Sequence, residues 1–145
     1  VYLNIENKGW YYVFYVVSTI AVRLFAGTLS DRIGRRQTLI LGISFLIVAM
    51  LMTGNAKTEF WYTAASFIFG IATGISSPTL FAWMADLSPS HRRGVGSGTL
   101  FIALELGILF GSIGTMAVYS NTLESLRNAF NGGAIVAGLA LIYLI

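Results

Sequence analysis

Five stretches of mainly apolar residues, at positions 10–29, 37–53, 60–85, 95–119 and 129–145, take up most of the chain. A helix needs about 20 such residues to cross the hydrocarbon of a bilayer. In lipid every backbone N–H and C=O must be satisfied internally, so segments of this length and polarity fold as helices. The expected fold class is all-α, a polytopic bundle of transmembrane helices in which the second block is short and the fifth runs to the last residue. Composition agrees: hydrophobic residues make up 56% and charged residues 10%, against roughly a quarter charged in a soluble domain. Mean hydropathy is +0.76.

Other readings fall away on the same grounds. There is no cysteine, which excludes disulfides and thiolate metal sites, and the single His91 excludes a multi-histidine centre. No metal or cofactor is therefore expected, and no nucleophile–base cluster points to an enzyme. The pI near 9.5 does not indicate nucleic acid, because the basic residues are scattered through apolar sequence and are better read as topology signals. The opening Val1-Tyr2-Leu3 reads as the tail of an earlier span, so the chain is expected to be a fragment.

Sorting charges by link separates the two faces of the membrane. One side receives Arg23, Asp31, Arg32, Arg35, Arg36, Asp86, Arg92 and Arg93, six basic residues against two acidic; the other receives Glu6, Lys8, Lys57, Glu59, Glu124 and Arg127, an even balance. The positive-inside bias puts links 30–36 and 86–94 in the cytoplasm. Trp10, Tyr11, Tyr12, Trp61, Tyr62 and Tyr119 fall at the opposite ends, where amphipathic rings favour the headgroup layer, while Trp83 sits near an inner end. The expected location is an integral position in the plasma (inner) membrane.

The second and fifth blocks are apolar nearly all round, as lipid-facing helices are. The other three carry polar residues at helical spacing: Tyr11, Tyr15 and Ser18; Ser66, Gly70, Thr73 and Ser77; Glu105, Ser112 and Tyr119. Steps of three, four or seven keep each set on one face. Such residues commonly hydrogen-bond between helices; three stripes beside two bare helices also favour an aqueous cavity on one side of the bundle. Pro78, next to Gly74 and two serines, frees a carbonyl that can line a cavity or permit bending.

The link Gly27-Thr28-Leu29-Ser30-Asp31-Arg32-Ile33-Gly34-Arg35-Arg36 joins two blocks on the basic side. Gly27 lets a neighbouring helix approach, Gly34 permits a tight turn, and Asp31 can cap a helix N-terminus or pair with Arg35 four residues on. Arg32 and Arg36 are placed for anionic lipid heads. This link matches the pattern G-x-x-x-D-[RK]-x-G-[RK]-[RK] at every fixed position and resembles the signature of the major facilitator superfamily. Asp86-Leu87-Ser88-Pro89-Ser90-His91-Arg92-Arg93-Gly94 resembles a second pattern of that family, D/E-x-x-P-x-x-x-R-G. Here Asp86 can pair with Arg93, and Pro89 ends the preceding helix. The following Gly94-Val95-Gly96-Ser97-Gly98 has neither a strand before it nor a Lys-Ser/Thr after it, so it is no phosphate loop.

The resemblance implies one six-helix half of a transporter, of which five spans are present. It also implies that Gly27, Asp31, Arg32, Gly34, Arg35 and Arg36 belong to a latch between the two halves, supported by the second loop at Asp86, Pro89, Arg93 and Gly94. First-half sequences of many drug exporters carry R-x-x-x-G in the fourth helix and G-x-x-x-G-P-x-x-G in the fifth. This chain has Ser66 where that arginine would stand and Ser112 where that proline would, which favours helices eight to twelve. Glu105 lies near mid-depth of its block, where an ionised carboxylate costs on the order of 2.5–3.5 kcal/mol. It is expected to be protonated, paired or facing water, and proton coupling or substrate binding is its candidate role, with Ser112, Ser66, Thr73, Ser77, Tyr15 and Ser18 as companions in the cavity.

The function expected is secondary active transport of a small solute by alternating access, with proton-coupled drug or metabolite efflux as the finer reading. A channel, or a membrane sensor or scaffold of the same fold, is the alternative. The partners expected are the small-molecule substrate, protons as coupling ion, the lipid bilayer and the remaining half of the transporter.

Overall fold

The computed structural model describes residues 9–120 and 122–145. Glu6, Lys8 and the opening tripeptide lie outside the described residues. Five helices follow in order: α1 (Gly9–Ile33), α2 (Arg35–Gly54), α3 (Glu59–Leu87), α4 (Arg93–Val118) and α5 (Leu123–Leu144), with a single 3-10 turn at Ser90–Arg92 before α4. The bundle is all-helical among the described residues. Among the described residues, four helices are long and apolar enough to cross a membrane: Gly9–Ile33, Arg35–Gly54, Glu59–Leu87 and the stretch Ser90–Val118.

The helix ends differ from the sequence expectation for local reasons. The link at 30–36 is almost entirely helical, and only Gly34 separates α1 from α2. Its φ of 95° and ψ of 150° lie in a region that only glycine occupies readily. Gly34→Ala is expected to destabilise the protein by about 1–3 kcal/mol, read as a lowered thermal midpoint of the detergent-solubilised protein. α5 starts six residues before the apolar block at 129, because Thr122 and Ser125 exchange side-chain and backbone hydrogen bonds in a capping box. That box carries Glu124 and Arg127 into the first turns of the helix, ahead of the apolar block. Pro78 sits within α3, which continues through it to Leu87.

Packing is carried by small residues. α3 is central: α1 packs on one side of it and α2 on the other, and α5 packs on α2. In the α1–α3 seam, a Cβ built on Gly70 would stand 1.8 Å from Ser18 Oγ and 2.5 Å from the Tyr15 carbonyl. Thr19 Oγ1 donates to the Tyr15 carbonyl at 2.8 Å and lies 3.2 Å from the Gly70 carbonyl, bridging the two helices. In the α2–α3 seam, a Cβ on Gly42 would meet Ser76 Oγ at 2.3 Å, beside buried Thr38, Leu39, Ala72, Ile75 and Thr79. Small side chains let backbones close on one another, and dispersion and hydrogen bonds then hold helices that lipid does not drive together. Among the described residues, every buried side-chain nitrogen or oxygen has a hydrogen-bond partner.

α4 stands apart. It has no buried residue, and it meets α3 near its own start, where Gly96 lies against Met84 and Ser88 and Phe101 lies 5.6 Å from Phe81, ring centre to ring centre. Every residue from Phe101 to Val118 is exposed.

Candidate functional site: an ionic cluster at the basic end of the bundle

The turn at Gly34 aims Arg35, the first residue of α2, across the ends of two other helices. Its Nη1 donates to Asp31 Oδ1 at 2.5 Å and to Ser30 Oγ at 2.9 Å, both on the last turn of α1. Its Nε donates to Asp86 Oδ2 at 2.8 Å, on the last turn of α3. One planar guanidinium thus ties three helix ends, which its fixed fork of donors does better than the single point of a lysine. Both carboxylates remain accessible, with side-chain exposures of 64% for Asp31 and 53% for Asp86. Contacts of this kind form and break at low cost, since water and salt compete for them.

Two expectations are corrected here. Asp86 pairs with Arg35 rather than Arg93, because Asp86 belongs to the last turn of α3 while Pro89 and the following 3-10 turn carry Arg93 away to the start of α4. Asp31 does not cap α2: Gly34 is the N-cap and no side chain bonds there, and Asp31 instead pairs with Arg35. No local spacing encodes the Asp86 pair, since 51 residues separate it from Arg35; sorting charges by face was the one signal that placed both at the same end.

The remaining candidate residues sort by location. Arg32 is exposed at the end of α1, and Pro89, Arg93 and Gly94 are exposed around the start of α4. A Cβ on Gly27 or Gly94 would meet nothing within 4 Å, and the close approach expected of Gly27 occurs elsewhere in this chain, at Gly42, Gly70, Gly74 and Gly96. Ser18 and Ser66 are 2% and 0% exposed and donate to carbonyls of their own helices. Side chains without accessible surface line no water path, which assigns both to helix packing. Thr73 joins them, bonding the Phe69 carbonyl at 3.1 Å and lying 3.5 Å from Thr19 Oγ1. Tyr15 is half-buried against Phe69, and Ser77 is half-buried in α3. Glu105 and Ser112 are exposed on α4, on one side of the helix by their seven-residue step.

At the opposite end of the bundle, Tyr11 and Tyr62 lie 4.5 Å apart, ring centre to ring centre, and Trp10 and Trp61 stand beside Phe14 and Phe60. The excess of basic residues and the paired aromatic rings therefore lie at opposite ends, a distribution that fits a membrane-spanning bundle.

The sequence is similar to known proteins. The Major Facilitator Superfamily profile matches residues 3–145. The chain is 33% identical to a D-xylose transporter of Levilactobacillus brevis, over 74% of this chain and 23% of that protein. It is 31% identical to the class G tetracycline resistance protein of Vibrio anguillarum, over 82% of this chain and 29% of the relative. It is 26% identical to the multidrug resistance protein MdtL of Klebsiella pneumoniae (strain 342), over 90% and 34%. The chain thus spans about a quarter to a third of the length of these relatives. An apolar helical bundle whose Gly34 turn holds the Arg35 cluster, matched by one family profile along nearly its whole length, is an integral membrane protein, and the chain belongs to the Major Facilitator Superfamily.

Proposed function

We propose that this chain is part of a secondary active transporter that moves a small solute across the plasma membrane by alternating access, with its basic end in the cytoplasm. The observation that carries the proposal is the Arg35 cluster. It joins the ends of α1, α2 and α3 through exposed ion pairs, a contact strong enough to favour one arrangement of helices and weak enough to be exchanged. Exposed Asp31 and Arg32 have room to meet a second half of the transporter at the same place. Rocking of two helical halves about a central site then alternates access. Relatives named for a sugar, a single drug class and multidrug resistance support transport of small solutes without selecting one substrate. We assign the chain to helices eight to twelve on the departures at Ser66 and Ser112, and we assign proton coupling, in drug or metabolite efflux, to Glu105.

The test is a double-mutant cycle on the full transporter in proteoliposomes. Arg35→Gln leaves Asp31 and Asp86 facing each other without their shared cation and is expected to lower the maximal transport rate roughly tenfold by redistributing conformations. Asp86→Asn leaves the Asp31 pair intact and has a smaller effect. The double variant is expected to be no worse than Arg35→Gln alone, since residues in one network are not additive. Simple additivity of the two losses, or full activity of Arg35→Gln, would remove the latch role.

A further inference from the structure

Two charges stand apart from the helix ends and links that hold the others. Among the described residues, Arg23 and Glu105 are the charged side chains near the middle of a helix. Sorting by link puts Arg23 on the basic side, but α1 runs on to Ile33 and places it ten residues inside that end, roughly 15 Å at 1.5 Å per residue. Tyr12, at the aromatic end, lies eleven residues the other way. In a hydrocarbon layer of about 30 Å, Arg23 is therefore near mid-depth. Glu105 stands at a similar level on α4, twelve residues from Arg93, roughly 18 Å from the basic end.

A guanidinium constrains this level more than a carboxylate does. Glutamate can take up a proton and become neutral, whereas arginine stays charged, and a charge at the bilayer centre costs on the order of 2.5–3.5 kcal/mol. Reaching back to the basic headgroups goes against the geometry of the helix. Every Cα–Cβ bond tilts toward the helix N-terminus, which for α1 is the aromatic end, so Arg23 leaves the backbone in the opposite direction. The ion pairs among the described residues use other groups, and α1 and α4 make no close backbone approach among them, which keeps Glu105 apart. Arg23 is exposed and flanks the α1–α3 seam. Thr19, one turn before it on the same side of α1, has its Oγ1 3.2 Å from the Gly70 carbonyl and 3.5 Å from Thr73 Oγ1. α4 packs against α3 as well, so both mid-depth charges are carried by neighbours of one helix.

We propose that Arg23 anchors the transported solute and that this solute bears a single carboxylate. The planar fork of a guanidinium can take both carboxylate oxygens at once. One positive charge at mid-depth balances one negative charge, whereas a phosphate dianion would bring an uncompensated charge to the level of Glu105. The inference deepens the transport reading and rests on it for the solute being cargo; binding is measured without flux, so the two fail separately.

The test uses the full transporter, purified in detergent at fixed pH, and three acids with their amides: lactate and lactamide, benzoate and benzamide, nicotinate and nicotinamide. Each amide keeps the shape of its acid and lacks the charge. Dissociation constants are read from the rise of the thermal midpoint with ligand concentration. At least one acid is expected to bind the wild type about tenfold or more tightly than its amide, as a hydrogen bond to a charged group implies. Arg23→Gln should abolish that preference and leave the amide affinity unchanged. Arg23→Lys keeps the charge without the fork and should keep part of the preference. If the glutamine variant cannot be recovered folded, a reduced preference in the lysine variant supports the site, and the full wild-type preference overturns it. Acids and amides that bind the wild type alike, or a preference that survives Arg23→Gln, overturn the proposal. So does a lowered thermal midpoint of Arg23→Gln that Glu105→Gln restores, the mark of two residues that neutralise each other. Flux in proteoliposomes separates the readings: an acid preference that depends on Arg23 without flux supports the site and removes transport, and flux without any acid preference does the reverse.

Discussion

Replacing Gly70 with leucine is expected to leave no folded protein to assay. Even a Cβ at this position would overlap Ser18 Oγ, 1.8 Å away, and crowd the Tyr15 carbonyl at 2.5 Å. The serine can rotate, but the carbonyl is part of α1 itself, so α1 must move off α3 along their main seam. Overpacking a close-fitted contact costs about 1–3 kcal/mol per inserted group and sometimes more, which alanine alone reaches. Leucine adds three further carbons to the same space, against a total stability of about 5–15 kcal/mol for a typical domain. Fluorescence-detected size-exclusion chromatography of the solubilised protein should show a lowered thermal midpoint for Gly70→Ala and no monodisperse peak for Gly70→Leu. Ser18→Gly combined with Gly70→Ala removes the first overlap but not the second, and should recover only part of the loss. Gly138, where a Cβ meets nothing, is the control: Gly138→Ala should be near neutral. A Gly70→Ala variant as stable as wild type would show that α1 and α3 are not in backbone contact there.

Glu105→Gln is expected to abolish uphill transport driven by a pH gradient. The side chain lies twelve residues along α4 from its first residue Arg93, roughly 18 Å at 1.5 Å per residue, which is near mid-depth of a spanning helix. It forms no ion pair among the described residues, where the pairs are Arg35 with Asp31 and Asp86, and Arg127 with Glu124. An ionised acid at that depth is costly, and the proposed proton-carrying role of Glu105 is what this variant tests. Glutamine keeps the size and hydrogen-bonding capacity of the side chain and cannot exchange a proton. The decisive measurement compares two assays on the same proteoliposomes. Accumulation against a concentration gradient under an imposed pH difference should vanish, whereas exchange of labelled for unlabelled substrate at equal pH should persist. Loss of both assigns Glu105 to substrate contact instead, and undiminished accumulation removes the residue from the mechanism.

The two variants separate the roles of the polar stripes. Those on α1 and α3 face each other, and their members Ser18, Ser66 and Thr73 bond to nearby carbonyls and let Gly70 sit against α1. The stripe on α4 faces none of these residues. Period alone marks a polar face and not what that face meets, so spacing could not distinguish a seam from a cavity.

What the sequence determined by itself was the solvent and the number of helices. Blocks of hydrocarbon length leave a chain no other way to satisfy its backbone, and the sorting of basic and aromatic residues by helix end is a property of each link alone. Gly34 was legible too, because a one-residue turn between antiparallel helices demands a backbone that glycine supplies. Tertiary structure alone decided who meets whom. Asp86 chose Arg35 over Arg93, because pairing across 51 residues depends on which helix ends the small-residue seams bring together. Charges at a membrane surface are interchangeable in sequence; distance makes them specific, and distance is set by packing.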